Sequence, residues 1–257
     1  MDTTTAPTDP TDPTDPMRKA ALAAGLFYIG TFVFSIPALA LYDGVVNDPN
    51  FVLGAGSDQG VLWGGLIEVL TALTGIGTAV ALYPVIKRYG AGRALGFVAA
   101  RVLEASMIFT GVLAVLSVFT LRQDFAGAAG ADTTSLTTAA DALVAVKDWT
   151  FLLGPGLMPV VNALCLATIM YRSRLVPRII PTVGLVGAPL LLISSTATLF
   201  GAWEQVSSTS MVMALPIAAW ELSLGAYMTV KGFKDPAAAD DGVEVATPAA
   251  PFSTAVA

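Results

Sequence analysis

The stretch Ala94–Thr120, ALGFVAARVLEASMIFTGVLAVLSVFT, is apolar over enough length to cross a bilayer, yet it carries Arg101 and Glu104. An ionised side chain at the centre of a spanning helix costs about 2.5–3.5 kcal/mol on insertion scales. Two in one helix therefore need partners, water or a function. They stand three residues apart, on one helical face and within reach of each other. The chain is expected to cross the membrane several times around a charged interior that other helices complete.

Five more apolar runs support that expectation. The fold class is all-α, a polytopic transmembrane bundle of six helices, with spans at about 20–42, 61–86, 94–120, 149–171, 179–200 and 211–230. Mean hydropathy is +0.72 and only 12% of residues are charged, about half the share of a soluble domain. The net charge of −6 reflects acids crowded into the tails (Asp2, Asp9, Asp12, Asp15, Asp235, Asp240, Asp241, Glu244), so it points to no basic or nucleic-acid partner. Residues 1–17, with three Thr-Asp-Pro units, and the acidic Ala/Pro segment 235–257 cannot bury a core and are expected to be disordered. Residues 18–234 form the transmembrane domain. Ala38-Leu39-Ala40 is similar to a signal-peptidase site, but the run is too long and the preceding tail too acidic, so the first span is read as an uncleaved helix.

Six spans put both termini on one side. Lys/Arg at 18, 19, 87, 88, 93, 172, 174, 178, 231 and 234 flank the termini, the second loop and the fourth; Arg122 and Lys147 lie opposite. That asymmetry places both termini in the cytoplasm of a bacterial inner membrane. Trp63, Trp149, Trp203 and Tyr42 are expected at the outer interface, and Tyr83, Tyr89 and Tyr171 at the inner one. The segment 122–147 reads as the largest outer loop, with Thr138–Asp141 capping a short helix and Asp148 capping the fourth span.

Counting along the spans brings Glu104, Asn162 and Glu221 to similar depths near the middle, with Glu68 in the outer third. Glu68, Arg101, Glu104, Asn162 and Glu221 are the candidate binding residues and one another's natural partners. Glu68 heads a stripe with Thr71, Gly75 and Thr78, and Glu221 shares a face with Ala214, Ala218 and Gly225. Asn162 follows Pro155 and Pro159, where missing amides free carbonyls. Three glutamates against one arginine cannot all be ionised cheaply in a low dielectric, so at least one is expected to hold a proton near neutral pH. A purely structural network that fixes helix packing is the other reading of the same residues.

Residue types remove several activities. The chain has no histidine, which excludes the usual zinc sites, imidazole ligation of haem and any imidazole base, and its lone Cys165 forms no internal disulfide. Tyr42-Asp43-Gly44 faintly matches an intramembrane aspartyl protease motif, but no second intramembrane aspartate accompanies it. No phosphate-binding loop or metal-ligand spacing is evident, so neither cofactor nor metal is expected; an enzyme acting on lipid ranks third among the readings, since carboxylates alone can do acid-base work but no nucleophile is evident.

The pieces LFYIGTFVFSIPALALYDG, GTAVALYPVIKRYGAGRALGFVAARVLEAS, DWTFLLGPGLMPVVNALCLATIMYRSRLVPRIIPTVGLVGAPLLL and WELSLGAYMTVKGF together resemble a family of bacterial six-helix membrane proteins catalogued as a domain of unknown function. The resemblance covers about Arg18 to Phe233. It implies an integral membrane protein of actinobacterial type and brings no activity with it.

The residues thus lead to one functional expectation, binding or translocation of a small solute, cation or proton, with Arg101 orienting Glu104 and Glu221 as acceptor. The alternative is a non-catalytic sensor or partner-binding subunit. The bilayer is the one assured partner; copies of the chain are able to meet through small-residue faces at Ala21 and Gly25 or at Gly184, Gly187 and Ala188.

Overall fold

The computed structural model describes residues 15–54, 57–125 and 132–234. Its helices are α1 (Pro16–Asn47), α2 (Asp58–Ile86), α3 (Ala91–Phe125), α4 (Thr133–Leu153), α5 (Met158–Asn162), α6 (Thr168–Ser173), α7 (Ile179–Leu199) and α8 (Ser208–Val230). A π-helical turn at Ala163–Ala167 joins α5 to α6. No strand occurs among the described residues. Among the described residues six stretches are long and apolar enough to cross a membrane, the fourth being the whole of Thr133–Ser173. The six-span, all-α expectation holds.

Short polar side chains start the helices by accepting otherwise orphaned amides. Asp15 accepts from the Met17 amide, Ser57 from Gly60 and Asp132 from Thr134, while Ser207 and Ser210 cap α8 reciprocally. Between α2 and α3 the chain reverses at Gly90, whose φ of +154° favours glycine.

Each span packs against the next, and α8 closes back on α1, so the bundle is a ring of six. Missing side chains set the closest crossings. A Cβ on Gly25 would fall 2.7 Å from the Gly225 carbonyl oxygen, and one on Gly184 would fall 2.5 Å from the Trp220 indole. The small-residue faces of α1 and α7, read above as surfaces for a second copy, thus form the α1–α8 and α7–α8 seams of a single chain. At the end of the α1–α8 seam the Arg18 guanidinium donates to the Met228 and Thr229 carbonyls, both at 3.0 Å, capping α8. The beginning of the first span and the end of the last therefore lie on the same side.

The opposite end is more helical than expected. α3 runs to Phe125 and α4 starts at Thr133, so 122–147 is mostly helix, and only 126–131 of it lies outside the described residues. Asp132 is the N-cap, rather than Thr138–Asp141 or Asp148, which sit within α4. The physical reason is a helical stripe, Leu136, Ala140, Leu143 and Val144, packed on Val115, Val118 and the Phe51–Leu53 turn in a second core beyond the first. Trp149 accordingly lies within α4, four residues before its end, and Tyr42 is 2% exposed, packed in that second core. At the other end α1 begins at Pro16, two residues inside the segment read as tail. The rest of that tail, 1–14, and the tail 235–257 lie outside the described residues.

Candidate functional site

Span four is broken where its sequence denies it amides. After Leu153 the segment Gly154-Pro155-Gly156-Leu157 forms a turn, and α5 restarts with Pro159 in its first turn. The Gly156 amide reaches back to the Phe151 carbonyl at 2.9 Å, the acceptor Pro155 cannot serve. The Gly156 carbonyl, exposed by the break, accepts from the Ser195 hydroxyl of α7 at 2.7 Å. The freed backbone expected near Pro155 and Pro159 is present, and at Gly156 a neighbouring helix satisfies it.

Just past the break, Asn162 is 0% exposed. Its side-chain amide donates to Glu104 Oε2 at 2.8 Å, the same oxygen that accepts from Arg101 Nη1 at 3.1 Å. Arg101 Nη2 donates to Glu221 Oε1 at 2.5 Å. One guanidinium thus joins two carboxylates from α3 and α8, with the Tyr28 ring 5.1 Å and the Phe97 ring 5.8 Å from its centre. Of the five residues expected to be one another's partners, four meet here, Arg101, Glu104, Asn162 and Glu221.

Glu68 is not in that cluster. Its Oε1 accepts from Lys147 Nζ, and both residues are buried. The Tyr42 ring lies 5.0 Å from the ammonium and the Phe151 ring 5.8 Å. Lys147, read above as a loop cation, is therefore an interior residue, and the charge count becomes three carboxylates against two cations. Lys147 falls on the stripe of Leu136, Ala140, Leu143 and Val144, four residues on from Leu143. That periodicity was the signal that could have found it.

The two clusters occupy different levels. The Lys147 stem crosses α3 at Gly111, where an added Cβ would come within 3.0 Å of Lys147 Cδ. Glu104 lies seven residues before Gly111 in α3, about 10 Å away at 1.5 Å per residue. Between the levels lies a cavity of about 230 Å³ lined by Glu68, Arg101, Glu104 and Glu221, by Thr31, Ser35 and Thr71, and by apolar side chains including Phe32 and Phe151. All five candidate residues are thus close to one chamber; four line it, and Asn162 holds Glu104 from behind.

The sequence model of a family described as a domain of unknown function, DUF4386, matches residues 23–232, which include every residue of the chamber. The chain belongs to DUF4386. No curated protein and no solved structure matches it. As a DUF4386 member it has the six-span architecture just described, and the chemistry of its chamber has to be read from its own side chains.

Proposed function

We propose that the chamber binds a small solute, cation or proton and that the bundle passes it across the membrane. The observation that supports this is the convergence of both carboxylate clusters on one cavity. Glu104 Oε1 and Glu221 Oε2 make no hydrogen bond among the described residues, although both side chains are paired through their other oxygen. Three carboxylates and two cations leave one negative charge, which a single proton or monocation balances. In this reading Arg101 orients Glu104, Glu221 is the acceptor, and Glu68 with Lys147 forms the first station from the opposite side. The basic flanks favour termini in the cytoplasm of a bacterial inner membrane: with Lys147 interior, Arg122 alone faces the ten flanking Lys/Arg.

Carboxyl infrared titration of the purified protein and its Glu68→Gln, Glu104→Gln and Glu221→Gln variants tests the reading. A protonated-carboxyl band that titrates near neutral pH and vanishes in one folded variant is expected. Absence of any such band, with each variant merely less stable, removes the proposal. It would favour the alternative of a non-catalytic sensor or partner-binding subunit, for which the pairing of both interior cations speaks.

A further inference from the structure

The polar atoms facing the chamber are biased toward acceptors. Thr31 donates its hydroxyl proton to the Tyr28 carbonyl at 2.6 Å and Thr71 donates to the Ile67 carbonyl at 3.1 Å, so each turns only lone pairs toward the cavity. Glu104 Oε1 and Glu221 Oε2 add two carboxylate oxygens without hydrogen bonds among the described residues; on the donor side both terminal nitrogens of Arg101 are engaged, which leaves its Nε and the Ser35 hydroxyl. The remaining wall is apolar or aromatic: Phe32, Leu39, Ala72, Ile108 and Phe151.

From these observations we infer that the chamber's ligand is an organic monoammonium ion with a small apolar body, bound in competition with one proton. The inference rests on the reading above and narrows it. Donor-rich cations suit an acceptor-lined site, and aromatic rings stabilise an ammonium group at close range. One positive charge balances the one surplus carboxylate; two would leave the chamber positive. A metal ion is poorly served, since no three Asp, Glu, Cys or His side chains gather to ligate one among the described residues. A proton alone needs no apolar chamber of about 230 Å³. Scaled from a dry cavity of about 150 Å³ that holds benzene, that volume accepts about nine non-hydrogen atoms, the size of 2-phenylethylammonium.

The groups facing the exchanged proton are Glu104 and Arg101 from α3, Glu221 from α8, Asn162 from α5 and Tyr28 from α1, with Glu68, Lys147 and Tyr42 at the far level. Amine and proton satisfy the same charge. Affinity for the amine therefore rises about tenfold per pH unit while the site is protonated.

The test titrates the full chain in weakly buffered detergent with 2-phenylethylammonium and, separately, potassium, at several values between about pH 6 and 8, where the amine stays charged. Heat of binding, proton release and the carboxyl infrared band are read together. One proton released per amine bound, with potassium inert, is expected. Ser35→Phe, which fills the chamber from α1 and leaves every charge in place, is expected to abolish amine binding and keep the protonated-carboxyl band. If potassium displaces the proton as well as the amine does, or Ser35→Phe binds the amine undiminished, the monoammonium assignment is overturned and the proton or cation site stands. If wild type shows no protonated carboxyl and neither cation releases a proton, both the assignment and the reading beneath it fail.

Discussion

Replacing Lys147 by methionine keeps the bulk of a long unbranched side chain in α4 and removes the ammonium that Glu68 faces. Lys147 is 6% exposed and Glu68 7%, and Tyr42 and Phe151 close over the ammonium, so water cannot take its place cheaply. Removing one partner of a buried ion pair costs about 3–5 kcal/mol, because the other charge stays desolvated, whereas replacing both partners by neutral groups is close to neutral. Lys147→Met is therefore expected to lose about 3–5 kcal/mol. Glu68→Gln, which leaves the ammonium uncompensated, is also expected to destabilise. The double variant Glu68→Gln/Lys147→Met is expected to recover to within about 1 kcal/mol of wild type. Unfolding of all four proteins in mixed micelles of increasing denaturing-detergent fraction, followed by tryptophan fluorescence, closes the cycle. Losses in the double variant that equal the sum of the singles would refute the buried pair, since independent residues add and coupled ones do not.

Asn162→Leu removes one of the two donors to Glu104 Oε2, a charge-assisted bond, and is expected to cost about 1.5–3 kcal/mol in the same assay and to shift the carboxyl infrared spectrum; an unchanged spectrum would separate Asn162 from the site. Gly184→Ala drives a methyl group into the fully buried Trp220 ring and is expected to lose about 1–3 kcal/mol, with a change in tryptophan emission as the check. Asp132 behaves differently because it lies at the exposed start of α4. Bonds from the Ser135 hydroxyl and from the Thr134 and Ser135 amides hold its carboxyl below the ordinary range. A lowered folded-state value means that its contribution is present above the unfolded value and is lost as pH falls through the folded one. Loss of protection of the first α4 amides, measured against their intrinsic exchange rate at each pH, is therefore expected only in acid, below about pH 4. Asp132→Ala should lack that protection at every pH.

The six spans were legible because apolar length alone identifies them, and the Arg101–Glu104 pair because three-residue spacing puts two side chains on one helical face. Depth counted from helix ends also brought Asn162 and Glu221 to the right level, since the rise per residue is fixed. Lys147 escaped for a related reason. Ala, Thr and Gly around it lower the local hydropathy, so the segment resembles a loop, and its helical stripe shows only when it is read at a period of 3.6 rather than by average. Depth also set Glu68 apart, in the outer third, but its pairing with Lys147 was not legible. It follows from the crossing of α4 over α3 at Gly111, a tertiary contact that spacing along one strand of sequence does not encode.

The π-helical turn at Ala163–Ala167 gives span four a property of phase. A π turn holds one residue more than the α turn it replaces, so the helix before it is rotated by about 100° relative to where an uninterrupted helix would put it. Asn162 sits immediately on the far side of that offset, and α6, which carries Arg172, on the near side. Whether Asn162 points at Glu104 is thus decided by a count of residues as well as by the neighbours it packs on. Deleting the half-exposed Leu164 would restore an ordinary helix with little loss of core, and would turn the amide away from its carboxylate. The span behaves as a vernier, in which one surplus residue sets the angular position of the site against the frame of the bundle.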